Sequence, residues 1–275
     1  MDQNGISDRN SEFWDELCGT GLAKFLGIND SSVESLKKFD DWYFDFYPYL
    51  FDHIPFNTMA GKDVLEVGLG YGTVSQKLAQ SEANYKGLDI AVGPVSMVNH
   101  RLRQTGLLGE AIAGSILEPP FPAKSFDYIV AIGCLHHTGD LRAAIQRCWE
   151  LLRPGGHLIF MVYYAYSYRR YRMALPVTLK NLYKEAMGYR GVVGGMSNDT
   201  ERAAYDASSD GVGAPHTDWI SVKSLKEYCG KFDNFRAKIE NVDERFPFRW
   251  SVRKSVLETR LPSYIGLDLY ATATK

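Results

Sequence analysis

Ten residues constrain this chain more than any others: Val64-Leu65-Glu66-Val67-Gly68-Leu69-Gly70-Tyr71-Gly72-Thr73. Three apolar residues bracket one acid, glycines then alternate with larger residues, and Val74 and Leu78 follow four apart. That pattern predicts a strand turning tightly into a helix. Glycine admits positive φ and lets a ligand approach the main chain, while the first helical turn offers N–H groups without intrahelical partners. A nucleotide-like cofactor suits such a junction. A dinucleotide fingerprint spaces its glycines G-x-G-x-x-G, whereas these alternate as G-x-G-x-G, with Glu66 two residues before the first. A carboxylate there repels a pyrophosphate and attracts an ammonium or a hydroxyl. The turn therefore points to a cofactor with a cationic amino-acid end and no phosphate, and away from a nicotinamide dinucleotide.

From Gly61 onward the pattern alternates. Strands are expected at 63–67, 85–89, 110–113, 127–132 and 157–163, and helices at 72–80, 94–105 and 140–152. Alternation of this kind implies a parallel sheet, with ligands bound beyond the carboxyl ends of its strands. Glu66, Asp89, Ser115 and Gly133 all fall at or just past such ends, so they are expected to share one cleft.

These residues resemble the motifs of the class I S-adenosyl-L-methionine (SAM) methyltransferases. The glycine run resembles the first motif of that family. Gly87-Leu88-Asp89-Ile90 resembles the second strand with its terminal acid, and Gly114-Ser115-Ile116 falls where the family carries Gly-Asp-Ala. Phe126 to Thr138, ending Gly133-Cys134-Leu135-His136-His137-Thr138, looks like the fourth strand and its loop. Leu151-Leu152-Arg153-Pro154-Gly155-Gly156 resembles the turn before the fifth. The Leu-His-His-Thr loop is closest to the type 11-like small-molecule enzymes. The resemblance implies a doubly wound, mostly parallel seven-stranded α/β sheet of Rossmann-like class I type. It also implies that SAM is the cofactor and S-adenosyl-L-homocysteine (SAH) the product. By the same resemblance Glu66 contacts the methionine end, and Gly68, Gly70 and Gly72 allow close backbone approach. Asp89 takes the ribose hydroxyls, Ile90 flanks the adenine, Ser115 and Ile116 meet its edge, and Gly133 closes the cleft.

The flanks are read from pattern alone. Residues 1 to 10 look frayed, with a helix starting near Ser11, and another runs from Ser31 into Asp41-Trp42-Tyr43-Phe44-Asp45-Phe46-Tyr47 until Pro48 breaks it. That aromatic run reads either as a helix on the core edge or as a lid; as a lid, Trp42, Tyr43 and Tyr47 wall the substrate pocket. Residues 1–60 are thus taken as an N-terminal helical lid segment. Residues 61–163 and 216–275 form the cofactor-binding core, and 164–215 a helical cap inserted between strands 5 and 6, free of strands. Phe235 to Val242 and Ile265 to Thr274 are the last two strands, one of them antiparallel, separated by an amphipathic stretch from Trp250 to Leu261 that Pro262 stops.

With 31 basic against 33 acidic residues the formal charge is −2, which argues against a nucleic-acid partner. No run of 18 apolar residues suggests a membrane span, the N-terminus has no signal-like core, and a cytoplasmic protein is expected. Cys18, Cys134, Cys148 and Cys229 form no C-x-x-C pair, so neither a disulfide framework nor a metal site is expected. A homodimer is compatible with the sequence.

Methyl transfer from a sulfonium is an in-line displacement governed by alignment, so no universal catalytic residue is expected. His136 and His137 lie where a substrate-facing base would stand, the alternative being one packed and one exposed. His216 and Asp218 form a second pair entering from the cap side, His216 as a catalytic candidate and Asp218 as a substrate contact. Tyr163 and Tyr164, at the end of strand five, are read as substrate contacts or core. The function expected is methyl transfer to an oxygen, nitrogen or carbon of a small molecule of specialised metabolism. A macromolecule methyltransferase or a non-catalytic SAM-binding protein is the alternative.

Overall fold

The computed structural model describes residues 3–16, 19–195, 198–243 and 250–275; Cys18 lies outside them. The chain opens with α1 (Gln3–Trp14), a full helix where a frayed start with a helix from Ser11 was expected. Tertiary contacts hold its polar sequence. Asn10 Nδ2 donates to the His137 carbonyl at 2.7 Å and Gln3 Nε2 to that of Thr138 at 2.6 Å. Ile6 is buried where a Cβ on Gly139 would meet it at 2.9 Å. After α2 (Thr20–Phe25), Ser32 caps α3 (Val33–Phe46), its Oγ accepting the Ser35 N–H. Leu36, Phe39 and Phe46 turn inward, and Pro48 ends the helix as expected. The short α4 (Leu50–His53) leads to the sheet.

The central alternation follows the sequence reading closely. It runs β1 (Asp63–Val67), α5 (Thr73–Gln80), β2 (Asn84–Asp89), α6 (Val92–Thr105), β3 (Glu110–Ala113), β4 (Phe126–Ile132), α7 (Leu141–Leu151) and β5 (Leu152–Tyr164). The five strands are parallel in the order β3-β2-β1-β4-β5. Successive residues send side chains to opposite faces, so Val64, Val130 and Ile159 pack with Leu78 and Val98 on one side. Leu65, Ile129 and Leu158 pack with Ile145 and Leu151 on the other. Arg101 of α6 donates twice to Asp40 of α3, at 2.9 and 3.1 Å, and Thr73 donates to the same carboxylate at 2.6 Å. This buried junction pins the N-terminal helices to the glycine turn.

Beyond β5 come α8 (Tyr168–Met173), α9 (Leu175–Ala186), β6 (Val193–Gly195), α10 (Asp199–Ala203), β7 (Thr217–Ile220), α11 (Val222–Tyr228), β8 (Asn234–Glu240), α12 (Trp250–Leu257), α13 (Pro262–Ile265) and β9 (Asp268–Thr274). Pro262 thus opens a new helical turn rather than only stopping one. β9 runs antiparallel between β5 and β8, and with β6 and β7 the sheet has nine strands among the described residues where seven were expected. The expectation of a strand-free stretch at 164–215 is corrected: β6 lies there, and it pairs antiparallel with β7. β9 already occupies one edge of β5 as far as Tyr163, so β7 pairs with Tyr163 and Tyr164 on the other edge, where β5 outruns β4. Gly194 permits this ribbon. Its φ is +108°, and a Cβ there would lie 2.4 Å from the Trp219 ring.

Candidate active site

A cavity of about 510 Å³ opens beyond the carboxyl ends of β1, β2, β4 and β5. One end is main chain. Gly68 and Gly70 line it with φ of +76° and +51°. Asp89, buried at the tip of β2, accepts the Leu69 N–H at 2.7 Å and the Ala91 N–H at 2.9 Å. Burial raises its carboxyl above the usual range although these amides pull it down. Ile90, Ser115, Ile116 and Gly133 line the same end, and Ser115 Oγ also accepts the Leu117 N–H at 3.2 Å.

Glu66 lines the cavity too, but its carboxylate is turned partly under the glycine run. Its Oε2 accepts Ser75 Oγ at 2.5 Å and Tyr85 OH at 2.7 Å, and burial pushes the carboxyl up to about 8. Gly72 does not line the cavity. With φ of +80° it caps α5, and a Cβ there would strike Arg101, so the residue serves the turn rather than direct ligand approach.

The other end is built from side chains. Trp42 and Tyr43 of α3 and Tyr47 just after it line it. Tyr163 and His137 line it as well, but Tyr164, His136, His216 and Asp218 do not. Neighbouring strand residues face opposite ways, so Tyr163 and Tyr164 cannot share a cavity; Tyr164 packs against the core on the far face. His136 is fully buried behind His137, with ring centres 4.1 Å apart, and its two nitrogens have no hydrogen-bond partner. Burial, reinforced by the neighbouring histidines, drives its imidazole well below the usual range. His216 acts through its backbone: its carbonyl accepts His137 Nδ1–H at 2.7 Å, while its ring sits 3.1 Å from Asp218.

Several cavity residues were not among the expected site residues. Asp206, in the polar loop after α10, accepts the Tyr163 hydroxyl at 2.8 Å and lies 3.4 Å from His137 Nε2. Arg169 lies over the Tyr205 ring at 4.5 Å and pairs with Asp243. Asp268, whose carboxyl burial pushes up to about 7, accepts Asn241 Nδ2–H at 2.9 Å. An acid inside the apolar Leu267-Asp268-Leu269-Tyr270 run was the one readable hint among these. Among the described residues no helix is long and apolar enough to cross a membrane.

Comparison with known proteins follows the same line. Residues 65–160 match the family model described as a methyltransferase domain. A ubiquinone biosynthesis O-methyltransferase from Cronobacter sakazakii is 32% identical over 103 residues, covering 37% of this chain and 42% of that protein. The chain thus spans less than half the length of the curated relatives it matches. A SAM-dependent methyltransferase from Methanosarcina mazei superposes with a TM-score of 0.53 at 19% identity, over 83% of this chain and 97% of that one. Another, from Mesorhizobium loti, gives 0.54 at 17% identity, over 83% and 97%. SAM, the cofactor of this domain class, fits the groups present: a buried carboxylate with lone pairs left over, and glycines leaving the main chain bare. The motifs, the sheet order and these likenesses agree that the chain carries a methyltransferase domain of the class I SAM-dependent fold.

Proposed function

We propose that this protein transfers the methyl group of SAM to a hydroxyl of a small acceptor enclosed in the cavity. The observation that carries the reading is continuity: one cavity joins Asp89 and the glycine turn to the polar group of His137, Asp206 and Tyr163. When bound, SAM supplies a methyl group already activated by its sulfonium. The chain's own task is alignment and exclusion of water. Asp89 accepts hydrogen bonds from the ribose, Glu66 faces the amino-acid end, and Ser115 and Ile116 frame the adenine. Trp42 and Tyr43 of α3 and Tyr47 just after it cover the acceptor from above, with α1 alongside. Asp206 and His137 carry the polar contacts to the reacting hydroxyl, and Tyr163 holds Asp206 in place. His136, His216 and Asp218 stand behind this wall as positioning residues.

An oxygen acceptor is favoured because the curated relatives are O-methyltransferases and because a carboxylate beside an imidazole suits a hydroxyl proton. The free thiols of Cys134, Cys148 and Cys229 fit a cytoplasmic setting. A macromolecular acceptor is disfavoured by the arginines of 164–215. Arg169 pairs with Asp243, Arg170 with Glu201, and Arg202 with Asp199 and the Ala214 carbonyl, so these three do not form an open groove for phosphates.

The test is transfer of labelled methyl from SAM to a panel of phenols, catechols and aliphatic alcohols, with SAH affinity measured in parallel. Label in an organic-extractable product supports the reading. Tight SAH binding with no transfer to hydroxyl, amine or carbon acceptors would sink it.

A further inference from the structure

We propose that His136, His137 and Asp206 bind one divalent transition-metal ion at the acceptor end of the cavity. One ligand atom from each lies within 4.8 Å of the others, and two imidazoles with a carboxylate form a donor set that suits zinc, iron(II), cobalt(II) or manganese(II). Three features of the wall are hard to explain otherwise. His136 is wholly buried yet neither ring nitrogen has a hydrogen-bond partner, although buried polar atoms are nearly always paired. His137 gives its Nδ1–H to the His216 carbonyl, which leaves the lone pair on Nε2. That Nε2 lies 3.4 Å from Asp206 Oδ2 without forming a hydrogen bond. An imidazole nitrogen and a carboxylate oxygen thus converge on one point without bonding each other, and a cation placed there would be held by both.

The surroundings have the form that metal ligands require. A ligating histidine ordinarily donates its second N–H to a carbonyl or carboxylate, as His137 does, and a ligating carboxylate is itself hydrogen-bonded, as Asp206 is by Tyr163. Adjacent residues rarely act together, but the short helical turn at Leu135–His137 brings the two rings to 4.1 Å with an angle of 46° between them. Three protein ligands leave positions open, and His137 and Asp206 face the cavity. The remaining positions would take oxygen donors, so the acceptor class is one that presents two adjacent oxygens, such as a catechol or a hydroxy-carbonyl compound. That last step rests on the methyl-transfer reading; the cation site itself does not.

The experiment is a Co²⁺ titration of the full chain after chelator treatment, followed in the visible spectrum, with Zn²⁺ as competitor and SAH calorimetry on the same samples. One equivalent of Co²⁺ should give absorption bands that Zn²⁺ removes. His136→Ala and the isosteric Asp206→Asn should each lose those bands while keeping SAH affinity, which also shows that the variants fold. Absence of saturable bands in a parent protein that binds SAH overturns the proposal, as do unchanged bands in both variants. One equivalent of Co²⁺ lost in the variants, in a protein that binds no SAH, upholds the cation site and overturns the methyl-transfer reading instead.

Discussion

The two ends of the cavity are built by different means. The cofactor end comes mainly from one short piece of chain, residues 64–91, in which strand, turn and strand hold Asp89 by the main-chain amides of Leu69 and Ala91, with Ser115, Ile116 and Gly133 at its edge. The acceptor end comes from distant places in the chain: the aromatic run at the end of α3, His137 after β4, Tyr163 on β5, Asp206 after α10 and Asp268 at the start of β9. Backbone geometry shapes the first, and long-range side-chain contacts shape the second. A fold built this way can keep its cofactor while its acceptor wall changes residue by residue.

Substitutions should separate the two ends. The largest effect is expected at Asp206. Replacing it by asparagine should lower turnover about 100-fold, on the order of 3 kcal/mol of barrier, with SAH affinity unchanged by calorimetry. A parallel loss of SAH binding would show that the ends are not independent. Asp89→Ala should do the reverse, weakening SAH about 10- to 100-fold by removing a charged acceptor; a normal SAH affinity would overturn the ribose role. Tyr163→Phe deletes one hydrogen bond to Asp206, so kcat should fall about tenfold with little change in SAH binding.

A last effect, read in stability rather than in turnover or binding, concerns Glu66, whose carboxyl is pushed up to about 8 from an ordinary 4.5. The folded chain keeps a proton that the unfolded chain releases across that window. Stability should therefore fall as pH rises between those two values, by at most about 1.4 kcal/mol per pH unit. Glu66→Gln should remove that part of the slope in melting curves taken from about pH 5 to about pH 8. An unaltered slope would mean that Glu66 is ionised throughout.

Most of the central fold was legible because its signals are local. The runs around β1, β2 and β3 each follow from a few neighbouring residues, and they appear within a residue or two of expectation. The misses are all long-range. A helix at Gln3–Trp14 depends on Asn10 reaching the His137 carbonyl, and β6 exists only because Gly194 can cross Trp219. Within the site, Gly68, Gly70, Asp89 and Ile90 line the cavity as expected, whereas His136, His216 and Asp218 lie behind it. Tyr164 could have been excluded from strand alternation alone once Tyr163 was chosen.

The sequence by itself determined the parallel α/β core and the chemistry of the cofactor end, because apolar periodicity and glycine spacing act over a few residues at a time. Only the tertiary structure decided which histidine faces the acceptor and which carboxylate joins it. Asp206 lies 69 residues from His137 along the chain, and the two meet at 3.4 Å through the packing of the β7 ribbon and the α10 loop against the end of β5. No local pattern encodes a contact that depends on how far one strand outruns its neighbour.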